Sequence, residues 1–143
     1  GDYFEKVEHR VGTHLLAEAL KNKNDVVSVE VYEAIDGETI DVVAYTADGD
    51  IGYTGEVETA SNNAAAVVED YEKLAQIDGE SIWVAPTNAS VEELWEDLES
   101  KGMVSEVASR VAARSSRLQE HLTDNPEDGI TMVRTYSQLE STL

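Results

Sequence analysis

Cysteine is absent from the 143 residues, and with it go disulfides, thiol catalysis, thiolate zinc sites and iron–sulfur clusters. Proline occurs twice and phenylalanine once. No apolar run approaches the ~20 residues of a membrane span, and no signal-peptide core appears, so the expected location is the cytoplasm, with no membrane partner. Positive charge is scarce as well. Five lysines and five arginines face thirty aspartates and glutamates, for a net charge of -20. Such a balance ordinarily excludes nucleic acid, because a polyanion repels a polyanion. What is present in quantity is apolar: 41% of the chain, enough for one folded domain with a modest core rather than an acidic tail.

The acids are spread along the chain and interleaved with apolar residues, as in Val91-Glu92-Glu93-Leu94-Trp95-Glu96-Asp97-Leu98. Ala and Val often stand where bulkier side chains would serve. This is the composition expected of a protein from an extreme halophile, here an archaeon, in which carboxylates hold hydrated cations. The Debye length is about 3 Å at 1 M salt. At that ionic strength the net charge hardly reaches a distant phosphate, and the exclusion of nucleic acid lapses. Gly1 stands where Met is expected; it reads as a cloning scar or a fragment boundary, with more chain before Asp2 in the natural protein.

Residues 3–22 have helical spacing at Phe4, Val7, Val11, Leu15 and Ala19, with Leu16 and Leu20 widening the stripe. Three strands follow, over 26–34, 39–46 and 51–59, punctuated by Asp36-Gly37 and Asp48-Gly49. A helix is predicted over 63–77. Ile82-Trp83-Val84-Ala85 suits a strand buried on both faces and is stopped by Pro86. Ser90, with Glu93 three residues on, predicts the start of the next helix, which ends at Lys101-Gly102. A long helix is predicted over 104–122 and a last strand over 130–136. The order predicts one α/β domain: a three-strand meander, a crossover helix and a fourth strand in a mixed sheet flanked by helices, with a core over about 3–86 and an extension over 90–143.

Two features can carry chemistry. Asp41 interrupts an otherwise apolar strand, Ile40-Asp41-Val42-Val43-Ala44. Glu56 and Glu58 lie two apart on the next strand and so point to one face. If the strands pair, Asp41 and Glu56 can share one divalent cation in an oxygen cage suited to Mg²⁺ or Mn²⁺, with Glu58 assisting. A cation so held activates water and stabilises a phosphoryl transition state. The plainer alternative is that acids line any solvated strand of so acidic a protein.

The series Asp41, a turn, Gly55-Glu56-Val57-Glu58, a helix and a short apolar strand resembles the core of the restriction-endonuclease-like superfamily. That superfamily is marked by an Asp near one strand and an (Asp/Glu)-x-Lys on the next. Archaeal Holliday junction resolvases are similar in order, with Asp-Ile-Val-Ala and Glu-Val-Lys; the counterparts here are Asp41-Val42-Val43-Ala44 and Glu56-Val57-Glu58. The resemblance spans roughly 3–86. It implies a restriction-endonuclease-like core and Mg²⁺- or Mn²⁺-dependent hydrolysis of DNA, with Asp41, Glu56 and Glu58 as catalytic residues and Asp41 and Glu56 as metal ligands.

The chain departs from that pattern at Glu58, where the family has a lysine that orients or activates the attacking water. A carboxylate cannot supply that charge. Either Glu58 binds a second cation, or the lysine's role has moved to the following helix, where Lys73 is the only lysine, or the domain is inactive and serves as a DNA-binding or protein-interaction module. The first helix of such folds often brings an acid to the metal, which makes Glu5 and Glu8 candidates, with His14 a further polar residue. Arg110, Arg114 and Arg117 fall at i, i+4 and i+7 of the predicted long helix and form a basic stripe, continued by His121. The stripe suits phosphate, ion pairing within the protein, or a homodimer through the C-terminal helices. Trp83 and Trp95 read as core rather than as base-stacking platforms, and Asn62-Asn63 as a turn and N-cap.

Overall fold

The computed structural model describes residues 2–59, 63–106, 114–141 and 143, with side chains from residue 6 onward. The elements are α1 (Asp2–Lys21), β1 (Val26–Ile35), β2 (Glu38–Thr46), β3 (Ile51–Val57), α2 (Ala64–Ala75), β4 (Glu80–Ala85), α3 (Asn88–Ser100), α4 (Ser115–Asp124), β5 (Met132–Thr135) and α5 (Tyr136–Ser141). The five strands form one mixed sheet in the order β1-β2-β3-β4-β5. The first three make the antiparallel meander that the turn signals predict; β4 and β5 add in parallel. At the first turn Asp36 and Gly37 both have positive φ, +50° and +84°, as a two-residue hairpin loop requires. No helix among the described residues is long and apolar enough to cross a membrane.

Each face of the sheet carries its own core. On one, Leu16, Ala17 and Leu20 of α1 and Leu139 of α5 pack on Val42, Ala44, Val57, Ile82 and Val84. On the other, α2, α3 and α4 bring Val67, Tyr71, Leu74, Trp95, Leu98, Leu118 and Leu122 against Val43, Trp83, Ala85 and Val133. Ile82, Trp83, Val84 and Ala85 have no solvent exposure, as expected of a strand covered on both faces. Both tryptophans are core, and the Trp83 indole donates to the Gly129 carbonyl at 2.7 Å.

Several local expectations are corrected. Val7 and Val11 are exposed, and the buried stripe of α1 is Gly12, Thr13, Leu16, Ala17 and Leu20, which keeps the predicted Leu16 and Leu20 but is rotated by about a third of a turn overall. The N-cap of α3 is Thr87 rather than Ser90. Ser90 is its N3 partner in a reciprocal capping box, a role its hydroxyl fills as well as a Glu would. No single helix spans 104–122: residues 103–106 are non-helical, and α4 begins at Ser115 after Arg114, whose backbone is extended at φ -129° and ψ 125°. The last strand is shortened to Met132–Thr135 because Tyr136 already opens α5. Asn63 caps α2, accepting the Ala66 N–H at 2.9 Å.

α1 is held against the sheet from a distant part of the chain. The Tyr136 hydroxyl donates to the Glu8 carbonyl at 2.6 Å, and its ring crosses α1 at Gly12, where a Cβ would lie 2.5 Å from that hydroxyl oxygen. Gly12→Ala should therefore displace Tyr136 and lose the bond. We expect a loss of about 2 kcal/mol and a melting temperature lower by roughly 4–8 °C, read by thermal denaturation in molar KCl. A melting temperature equal to wild type would show that α1 does not depend on this contact.

Candidate functional site

The site forms where β2 and β3 part. Their ladder runs from Tyr45 and Ile51 to Val42 and Gly55. One residue further, the Asp41 carboxylate takes the place of a strand partner: its Oδ2 accepts the Val57 backbone N–H at 2.9 Å. Side-chain alternation breaks here too. Ile40 and Val43 both pack into the α2–α3 side, while Val42 and Ala44 face α1. The residue neighbouring this break on β1 is Tyr32, which has φ +52°. Asp41 is thus carried out of the regular pleat and reaches both faces.

Toward α1, Asp41 Oδ2 lies 3.1 Å from His9 Nε2. Asp41 also hydrogen-bonds the Glu56 carboxyl on β3. Glu56 is buried, and on its far side Lys73 of α2 reaches it: Nζ lies 3.1 Å from Glu56 Oε1 and 3.0 Å from Asp70 Oδ1, and donates to the Thr39 carbonyl at 2.7 Å. Lys73 is well covered, its side chain 14% exposed. Glu58, two residues beyond Glu56, is buried on the same face, and its N–H continues the β3–β4 ladder to Val84 at 2.8 Å. Among the described residues, the acids whose oxygens converge within 4.8 Å of one another are Glu56, Glu58 and Asp70.

The charges are set by these contacts. Burial, and then the adjacent Asp41 carboxylate, push the Glu56 carboxyl up to about 11, against the pull of Lys73. Burial alone would raise Asp41, but hydrogen bonds from His9, Glu56 and the Val57 N–H outweigh it and hold Asp41 below the usual carboxylate range. The pair shares a proton that stays on Glu56. The hydrogen bond to Asp41 raises His9. Burial lowers the Lys73 ammonium, but Glu56 and Asp70 prevail and raise it.

The predicted residues therefore divide. Asp41 and Lys73 each reach Glu56, and Glu58 lies with Glu56 and Asp70; Asp41, expected as a metal ligand beside Glu56, is not in that converging set, and Asp70 is. Of the α1 candidates, His14 is exposed, and Glu8, about 100° around the helix from His9, is half-buried. Glu5 has its side chain outside the described residues, as does the whole of Arg110. Arg114 and Arg117 are exposed, and the extended backbone at Arg114 breaks the expected stripe. His9 and Asp70 were not anticipated. His9 was legible in principle: it lies seven residues before Leu16 and eleven before Leu20, on their stripe. Asp70 lies one turn before Lys73. A cavity of about 200 Å³ between the β1–β2 hairpin and α2 reaches Lys73. A larger one, about 780 Å³, lies elsewhere, by Lys23, Tyr53 and Leu139.

The oxygen donors of Glu56, Glu58 and Asp70 suit a hard divalent cation. No family model, curated protein or solved structure matches the chain.

Glu56 generates a test of its own. Its folded-state value lies above its unfolded one, so its contribution to stability is full below about pH 4.5 and declines as pH rises. Glu56→Gln stays neutral and keeps a donor for Asp41. In metal-free buffer the variant should match wild type near pH 4.5 and exceed it at pH 7–8 by on the order of 2 kcal/mol, measured by denaturant unfolding. A variant less stable at pH 8 would refute the protonated carboxyl.

Proposed function

We propose that the chain is a metal-dependent nuclease-like domain of a halophile that hydrolyses DNA phosphodiesters, with the motif lysine supplied by α2 instead of β3. One observation supports this reading: the Lys73 ammonium lies 3.1 Å from Glu56 Oε1, beside the acids that could hold a cation. In this reading it takes over the positive charge that Glu58 does not provide.

Glu56, Glu58 and Asp70 are the residues that would hold Mg²⁺ or Mn²⁺. Such a cation supplies Lewis-acid stabilisation of phosphoryl charge and an activated water. Asp41 orients Glu56 through their hydrogen bond and is itself fixed by Val57 and His9. Lys73 would supply a fixed positive charge beside these acids, the role that the resemblance gives to the family lysine. A net charge of -20 is compatible with DNA only under strong screening, so molar KCl is the proper medium.

A second reading has its own support. Asp41 already bonds His9, and Glu56 already bonds Asp41 and faces Lys73, so the acids are neutralised internally. That arrangement suits an inactive scaffold that binds DNA or a protein.

The test uses linear and branched DNA with Mg²⁺ or Mn²⁺ in molar KCl. Cleavage is expected. Asp41→Asn, which preserves an acceptor for the Val57 N–H, and Lys73→Met should each lower the rate about 10²-fold or more. Binding without cleavage would select the inactive scaffold, and loss of both would discard a nucleic-acid role.

A further inference from the structure

Tyr32 is the strained residue that the proposed chemistry leaves unused. It lies on the edge strand β1 with φ +52°, a conformation that is uncommon for a bulky side chain, yet 48% of it is exposed. Core packing does not account for a residue so placed, and backbone strain of this kind gathers at functional sites. The ring stacks on the His9 imidazole with centroids 6.2 Å apart and planes 20° from parallel. His9 bonds Asp41, and Asp41 bonds Glu56. A half-exposed aromatic surface is therefore held on the α1 side of the sheet, against His9, and is linked to Glu56 through Asp41.

We propose that Tyr32 is a stacking platform for an unpaired nucleobase, and that the substrate is nucleic acid with single-stranded or frayed bases rather than closed duplex. The inference rests on the nuclease-like reading and names its substrate class. In molar salt a chain of net charge -20 gains little affinity from phosphate contacts, which screening removes. A base stacked on an aromatic ring is not an ionic contact, and it tolerates any sequence because every base has a flat face. In a closed duplex those faces are hidden in the stack, and exposing one requires unpairing. His9 stacks on one side of the ring, and its own bond to Asp41 ties the platform to the residue beside Glu56.

The test is fluorescence anisotropy of the full chain in molar KCl, with Ca²⁺ in place of Mg²⁺ to hold cleavage off. Three labelled probes are compared: a short oligothymidylate, an abasic oligomer of equal length, and a closed duplex. Oligothymidylate should bind about 5- to 150-fold more tightly than the abasic oligomer, and more tightly than the duplex. Tyr32→Phe should keep this preference. Tyr32→Gly should lose it while its melting temperature holds or rises, because glycine adopts φ +52° without strain; a purely structural ring would give the opposite pattern. Tyr32→Asn, which also tolerates this backbone, guards against a folding defect peculiar to the glycine variant. Unchanged preference in both variants overturns the platform, as does equal binding of oligothymidylate and abasic oligomer by wild type, an outcome that leaves the nuclease-like reading standing. If wild type binds none of the three probes, that reading falls and takes the platform with it.

Discussion

A single hydrogen bond, from the Val57 N–H to the Asp41 carboxylate, organises the site. Where β2 and β3 part, a strand amide would be left without its ladder partner inside the protein, and an unmet buried donor is expensive. Asp41 meets it with a side chain in place of a backbone carbonyl. That substitution brings a carboxylate to the centre of the sheet edge, beside Glu56 and within reach of α1. The remaining contacts follow from it: His9 closes on the same oxygen, and Glu56, pushed up first by its own burial, is pushed further by the adjacent Asp41 carboxylate.

The surrounding charge is arranged so that one lysine serves several oxygens. Lys73 touches Glu56, Asp70 and the Thr39 carbonyl at once, which ties α2 to both β3 and the start of β2. Breaking such a partly buried constellation at one member leaves the others uncompensated. On the exposed surface of so acidic a chain, isolated carboxylates say little. Three that converge with a covered lysine are a different matter, because burial turns each unneutralised charge into a free-energy penalty.

The strand order was legible because turn chemistry is local. Asp36-Gly37 and Asp48-Gly49 mark the meander, and the run Ile82–Ala85 announces a strand covered on both sides. Glu56 and Glu58 were legible for a related reason, since strand periodicity puts them on one face; Asp41 reaches Glu56 where the pleat breaks, and Asp70 of α2 completes the converging set. Less legible was anything that depends on which way a helix faces the sheet. Val7 and Val11 look like core on periodicity, yet Gly12, Thr13 and Leu16 are buried because Tyr136 and Gly55 demand close approach there. The same rotation brings His9, not Glu8 or His14, to Asp41. The 104–122 helix misled because helical spacing of Val and Arg continues across Arg114, and spacing alone carries no sign of an extended residue. Fold likeness, even where the order of motifs suggests it, does not by itself fix an activity.

The Tyr136–Glu8 hydrogen bond joins residues 128 positions apart. During synthesis, α1 leaves the ribosome long before the residue that pins it. α1 already has an apolar seat on the meander through Leu16, Ala17 and Leu20, so this bond is an added clamp from the far end of the chain. Contacts of such sequence separation carry a large loop-closure cost in folding. A product truncated before Tyr136 would keep the seat of α1 and lose the clamp that lies one residue from His9.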